Sequence, residues 1–297
     1  MHEHSGDLRE AVFEYARNRL SYSPPPLDHS QPHEELARLA GATITDKGLG
    51  GIAALKLFEL VLAPATISTD HPGYLSFIPS APTEASKLFD LIVSASAIYG
   101  GSWMEGSGAV YAENEVLAWL ARECGLPTEA GGVFVQGGTI GNLSALVAAR
   151  FNFDAPAGKR LAFVCSSEAH SSLKTAARVM DVDIIKAQSD EHGRLHGDAV
   201  EAAIAGDDAS RIFAVVATAG TTNFGIVDHI ESIAQVAKRH DKWLHVDGAY
   251  GLAGILDDSK RPLYKGVEHA DSLIVDPHKW LFAPFDACAL IYRDPEL

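Results

Sequence analysis

Cysteine is scarce in this chain: Cys124, Cys165 and Cys288 are the only three among 297 residues, and they lie far apart. No CxxC pair occurs, so a thiolate zinc site, a redox pair and a disulfide framework are not expected, and all three read as reduced thiols in the core. Long apolar runs are missing too. None approaches the roughly 18 residues that a membrane helix needs. The opening MHEHSGDLRE has neither the basic start nor the apolar stretch of an export signal, so the expected location is the cytoplasm, with no membrane partner. Positive charge is in deficit, with 24 Lys and Arg against 39 Asp and Glu and a formal net charge of −15. Such a surface repels a phosphate-rich polyanion, and no nucleic-acid partner is expected. Histidine is plentiful at 13. There is no HExxH, however, and Pro32 breaks the pair His29 and His33, so no metal site is expected.

What is present suffices for a sizeable core. The chain is 47% hydrophobic against 21% charged, and its length accommodates one large domain plus an appendage. Residues 1–22 carry an amphipathic helical pattern, ended at Ser23-Pro24-Pro25-Pro26, where the prolines fix φ and remove donors. A second helical pattern around Glu34 to Leu39 stops at Gly41, and a third runs from about Ile52 to Leu62. The stretch from His71-Pro72-Gly73 to Pro82 is too polar and proline-broken for an element. We read 1–82 as a helical arm and 83–297 as the large domain.

From Gly132 short apolar runs alternate with helical periods. VFVQ precedes a helix from Asn142, LAFVCS one from Ser171 and DIIKAQ one from Asp198; RIFAVVATA precedes a helix from His229, striped by Ile230, Ile233, Ala234 and Ala237. WLHVD, DSLIVD and ACALIYR follow. Seven strand-like runs interleaved with helices predict an α/β fold: a mostly parallel sheet covered by helices, with any ligand beyond the carboxyl ends of the strands.

The residues just after those runs are chemically pointed. Gly137-Gly138-Thr139-Ile140-Gly141-Asn142 follows VFVQ, and such glycines serve either an ordinary strand-to-helix turn or the approach of backbone N–H groups to a phosphate. Glu168-Ala169-His170-Ser171-Ser172 puts a histidine after LAFVCS, with a serine as a helix cap, and a capping loop with a hydrogen-bonded histidine is the bland reading. Asp247 ends WLHVD, where burial of its charge demands a cationic partner. Asp276-Pro277-His278-Lys279-Trp280 places a lysine between apolar strands, and an amine there is a candidate nucleophile for a carbonyl. A phosphate loop, a histidine able to stack, an acid and an amine together call for one ligand with a phosphate, a flat ring, a basic ring nitrogen and an aldehyde. Pyridoxal 5'-phosphate has all four.

GGTIGNLSAL, SSEAHSS, ATAGTTNFGIVD, HVDGAY and SLIVDPHKW, in this order and spacing, resemble the group II pyridoxal-phosphate-dependent amino acid decarboxylases, which include the aromatic L-amino acid, histidine and glutamate enzymes. The similarity runs from His71 to Arg293. It implies fold type I of the pyridoxal-phosphate enzymes and decarboxylation of an L-amino acid to its amine and CO2. By the resemblance, Lys279 bonds to the cofactor aldehyde and Asp247 pairs with the pyridinium nitrogen. His170 stacks on one ring face with Ala249 under the other. Gly138, Thr139 and His278 hold the phosphate, with Thr222 near the ring or the phosphate. Phe77, Ile78 and Pro79 resemble a segment that lines the substrate pocket from a partner subunit, which makes a homodimer the expected assembly, and Trp103 adds apolar surface. An aromatic residue is common where this chain has Ile78. With no Arg or Lys from His71 to Pro82 to meet a second carboxylate, an aromatic or other bulky substrate is expected ahead of glutamate.

The chain stops at Leu297. Family members continue through a mobile loop that carries a tyrosine proton donor and then a small C-terminal domain. The expectation is that this small domain is absent here and that a second polypeptide or a continuation completes the enzyme. The rival expectations are another fold type I lyase or an aldehyde synthase, and an inactive fragment.

Overall fold

The computed structural model describes residues 5–78 and 80–297. The chain forms two compact units, one reaching to Glu84 and the other Ala85–Leu297. The first unit contains α1 (Gly6–Ser21), α2 (His33–Ala40) and α3 (Gly51–Leu57), the last continuing as a π-helical turn over Phe58–Leu62. Ser5 caps α1 by accepting from the Leu8 N–H at 3.3 Å. None of these helices contributes a buried residue. An element with no buried face gains little from its own packing, and among the described residues of this unit there is no core cluster.

The second unit opens with two helices that the sequence pattern did not resolve, α4 (Glu84–Ala95) and α5 (Trp103–Glu123). α4 buries no residue, and Phe89, Ile92 and Val93 lie on its exposed surface. In α5 burial is confined to Gly106 and to Leu117, Leu120 and Ala121 of the last two turns. With so few buried positions, neither helix carries a long core-facing stripe for the pattern to show.

The remaining elements are β1 (Gly131–Val135), α6 (Gly137–Phe151), β2 (Ala162–Ser166), α7 (Ser171–Met180), β3 (Asp183–Ala187), α8 (Gly197–Ala205), β4 (Ile212–Thr218), α9 (Ile230–Arg239), β5 (Trp243–Asp247), β6 (Ser272–Val275) and β7 (Cys288–Tyr292). They build one seven-stranded sheet in the order β1-β7-β6-β5-β4-β2-β3. β7 runs antiparallel to both neighbours, and the other pairings are parallel. The mostly parallel, helix-covered sheet expected from the alternating pattern is the observed fold.

Strand residues alternate between two apolar layers, as their period of two requires. Ala162, Val164, Val215, Ala217, Val246 and Leu273 pack towards α5, α8 and α9. Phe163, Cys165, Phe213 and Val216 pack towards α6 and α7, where Phe163 and Phe213 meet edge to face with centroids 6.0 Å apart. Burial on both faces is why these strands read as continuous apolar runs.

α6 begins at Gly137, five residues before the expected start at Asn142. Gly137 takes φ +74 directly after β1, so the chain turns at one residue and the remaining glycines form the first helical turn. Gly141 lets that turn lie against the sheet, because a Cβ there would sit 2.7 Å from the Cys288 Sγ and 2.9 Å from the Ile274 Cγ2. Close packing, not phosphate approach, accounts for glycine at this position. Gly141→Ile is therefore expected to cost about 1–3 kcal/mol through overpacking. Gly108→Ala, in the interior of α5 with no atom within 4 Å of its Cβ, should be stabilising by roughly 0.5–1 kcal/mol. Urea unfolding of both variants checks the pair.

Candidate active site

The carboxyl ends of β1, β4, β5 and β6 surround a cavity of about 290 Å³. A larger hollow of about 910 Å³ lies at the opposite end of the sheet around Trp243, Asp271 and Arg293 and holds none of the strand-end groups singled out by sequence. The smaller cavity gathers them. Gly138 and Thr139 reach it from the first turn of α6, His170 from the start of α7 and Thr222 from the turn after β4. Asp247 and Ala249 enter from the end of β5, and His278 and Lys279 from the turn after β6.

Lys279 is held by a neighbour that the sequence reading did not assign. Its Nζ lies 2.9 Å from Oδ2 of Asp276, whose side chain is 1% exposed. The same Oδ2 accepts from the Gly138 N–H at 3.3 Å, and the His278 Nε2 lies 3.8 Å away. Asp276 thus ties the lysine turn to the positive start of α6. Its second oxygen, Oδ1, is buried without a hydrogen-bond partner, and the Thr218 Oγ1 beside the cavity is equally orphaned. Buried polar atoms are rarely left so. His278 is fixed from behind by the Ala287 N–H, which donates to its Nδ1 at 3.0 Å.

Asp247 is 4% exposed, and among the described residues no cationic side chain is in ion-pair contact with it. Two neutral donors meet it instead: the Asn142 Nδ2 at 2.9 Å on Oδ2 and the Ala249 N–H at 3.3 Å on Oδ1. The Asn142 Oδ1 faces the His245 Nε2 at 2.8 Å, and the His245 Nδ1 lies 2.9 Å from the Ser272 Oγ. That hydroxyl accepts from the Trp243 Nε1 at 2.8 Å. Burial pushes His245 down to about 4 and outweighs the attraction of Asp247, which keeps the imidazole neutral at physiological pH.

His170 is the cap of α7 in place of the expected serine. Ser171 and Ser172 lie inside the helix, and the His170 Nδ1 accepts from the Ser172 N–H at 3.2 Å. The bland reading, a capping loop with a hydrogen-bonded histidine, is met, and the capping imidazole also lines the cavity. Tyr250 and Trp280, from the two motifs that carry Asp247 and Lys279, meet edge to face at 4.7 Å and brace the β5 and β6 turns against each other.

The expected substrate contacts are not gathered in the same way. Trp103 starts α5, is 60% exposed and does not line the cavity. Phe77, 87% exposed, and Ile78 belong to the first unit, and Pro79 lies outside the described residues. The three cysteines are buried free thiols, and burial raises Cys124 and Cys165 to about 12. Burial, with the nearby Asp276 charge, lifts Cys288 well above the usual thiol range. None is a ready nucleophile. Among the described residues no cluster of three metal-binding side chains occurs, and no helix is long and apolar enough to cross a membrane.

The pyridoxal-dependent decarboxylase conserved domain matches residues 55–297. An aromatic-L-amino-acid decarboxylase of Bacillus atrophaeus is 34% identical over 235 residues, 76% of this chain and 48% of that protein. An L-2,4-diaminobutyrate decarboxylase of Rhizobium meliloti (strain 1021) is 32% identical over 257 residues, 84% of this chain and 52% of that protein. The solved structure of Oryza sativa TDC with PLP superposes with a TM-score of 0.88 at 28% identity, covering 100% of this chain and 69% of that one. The chain spans about half the length of the curated relatives it matches.

The buried imidazole at the base of the site has a consequence for stability. Between its ordinary value of 6.5 and the folded value of about 4, the unfolded chain takes up a proton at His245 that the folded chain refuses. Stability from this group is full above about pH 6.5 and is lost as pH falls towards 4. Asp228, raised by burial to about 6, works in the opposite sense over part of that range, so the effect is read as a difference between proteins. Relative to His245→Gln, the unsubstituted chain should lose up to about 3 kcal/mol between pH 6.5 and pH 4 in urea unfolding. A difference that stays flat with pH overturns the assignment of a neutral buried His245.

Proposed function

The chain belongs to the pyridoxal-dependent decarboxylase family, and from that membership we propose that it acts in removing the carboxyl group of an L-amino acid as CO2, leaving the amine. Pyridoxal 5'-phosphate is the cofactor, held in the cavity at the carboxyl ends of β1, β4, β5 and β6. The observation that carries the reading is Asp247, a buried carboxylate supported by neutral donors alone, opening on a cavity that also holds a lysine amine. A carboxylate so placed is stabilised by a cationic ligand, and a protonated ring nitrogen is one. The backbone start of α6 fits a phosphate at the other end. Gly138 keeps that cradle open, since a Cβ there would lie 3.0 Å from both the Ala249 Cβ and the Asp276 Oδ2.

When bound, the cofactor supplies an aldehyde for the amino group and a ring that accepts the electrons left behind by CO2. Lys279 provides the amine that holds the aldehyde, and Asp276 keeps its Nζ at the cavity wall until then. Asp247 holds the ring nitrogen protonated. His170 and Ala249 would hold the ring, and Gly138, Thr139 and His278 would bind the phosphate, with Thr222 beside them in the cavity lining. We take the substrate to be an aromatic or other bulky amino acid. Lys279 is the one Lys or Arg among the described residues lining the cavity, so no cation is left over to meet a second carboxylate as in glutamate. Phe77, Ile78 and Trp103 offer apolar contacts. Three buried free thiols fit the reducing cytoplasm.

We also propose a homodimer. Phe89, Ile92, Tyr99, Trp103 and Met104 are 53–87% exposed within twenty residues of one another, a concentration of apolar surface that marks an interface, and the first unit lacks a core.

Borohydride treatment of the cofactor-loaded protein should fix the cofactor to the peptide containing Lys279, and Lys279→Ala should abolish that adduct. An adduct that survives the substitution places the amine elsewhere. With a panel of amino acids, Asp247→Asn should lower CO2 release by about 10²-fold or more while leaving the circular dichroism unchanged. Light scattering at micromolar concentration should give twice the chain mass, and a purely monomeric cofactor-loaded protein overturns the assembly.

A further inference from the structure

The interior behind the site contains a polar chain that no step above uses. Ser272 and His245 are 0% exposed, Asn142 1% and Ser172 3%. We propose that Asn142 is a positioning residue serving Asp247 and His170 at once, with its amide orientation set by the Asp247 carboxylate and passed on through the buried chain His245–Ser272–Trp243.

The argument is one of donors and acceptors. A carboxylate accepts only, so the Asn142 atom 2.9 Å from the Asp247 Oδ2 is the nitrogen. The Asn142 Oδ1 must then accept, which requires a proton on the His245 Nε2 at 2.8 Å. Neutral His245 therefore has a bare Nδ1, which accepts from the Ser272 hydroxyl at 2.9 Å. The hydroxyl's lone pair in turn receives the indole N–H of Trp243 at 2.8 Å, and indole can only donate. The carboxylate end sets the direction, because the second lone pair of the Ser272 hydroxyl leaves the Trp243 end able to accept from His245 as well. The second N–H of Asn142 goes to the Ser172 Oγ at 2.9 Å. With its lone pair taken, Ser172 directs its own proton to the His170 Nδ1 at 2.9 Å, and the Ser172 backbone N–H points to the same nitrogen at 3.2 Å. His170 thus keeps its proton on Nε2 and offers the cavity a donor. Turning the Asn142 amide over would set its oxygen against the Asp247 carboxylate and withdraw the donor from Ser172.

The consequence for catalysis rests on the proposed decarboxylase reading, but the hydrogen-bond direction does not. Nitrogen-15 spectra of histidine-labelled, cofactor-free protein therefore test it separately. At pH 7 the unsubstituted chain should show His245 as a single form with the proton on Nε2, and the neutral form of the His170 ring should carry its proton on the same nitrogen. Asp247→Asn removes the acceptor that forbids the flipped amide, and His245 should gain a population protonated on Nδ1. Asn142→Leu should move His245 to the Nδ1 form outright, and adding Asp247→Asn to it should change nothing more. A charged or Nδ1-protonated His245 in the unsubstituted protein overturns the proposal without need of any variant. So does a His245 unmoved by Asp247→Asn. In cofactor titrations Asn142→Leu should weaken binding about tenfold, the loss of one donor to a buried charge. Failure of all forms to bind cofactor would instead sink the decarboxylase reading and leave the spectra standing.

Discussion

The carboxylate of Asp247, buried at the end of β5 without a cation, is the constraint on which the site depends. Burying an uncompensated charge is costly, and the fold answers with dipoles instead of an ion pair. The Asn142 amide and the Ala249 N–H lower the cost while leaving the negative charge unspent. An arginine in their place would make a more stable fold and a worse binding site, because the attraction reserved for a cationic ligand would already be satisfied. The neutral histidine behind Asn142 follows the same logic. A second full charge there would have to be desolvated, whereas a neutral ring passes on a hydrogen bond.

Asp276 shows the complementary case. It too is buried beyond a strand end, but it is paired with the Lys279 ammonium and the start of α6. The pair holds the amine in place at the cavity wall, and the cavity therefore contains two carboxylates in different conditions, one with its charge met and one without. Two acids separated in this way can take separate roles. The lone Oδ1 of Asp276 marks the pairing as incomplete, with capacity for one further donor.

Much of this was legible in the sequence because strand ends in a parallel sheet converge on one edge. Once VFVQ, WLHVD and DSLIVD were read as strands, Gly138, Asp247 and Lys279 had to lie near each other. The reading fell short where a residue's partner lies far away in sequence. The neutral donor that meets Asp247 went unread because Asn142 lies 105 residues away. Asp276 stood in a quoted motif, yet its role depends on an approach to Gly138 across 138 residues. His170 replaced the serine as cap because an imidazole one residue before the helix can reach the same N–H, an option that serine-based capping rules leave out.

α4 and the first half of α5 were illegible for a different reason. A helix can be read from its apolar stripe only if one face is buried and the other wet, and here apolar side chains such as Phe89, Ile92 and Met104 face outward. A partner surface of the kind proposed for the homodimer would account for that pattern. The first unit carries the same signature, helices that form yet bury nothing. Local propensity and caps suffice to specify such helices but stabilise them weakly. Those of the first unit were nevertheless read from the prolines and glycines that bound them, whereas α4 and the first half of α5 were not, so burial against the sheet is only one source of legibility.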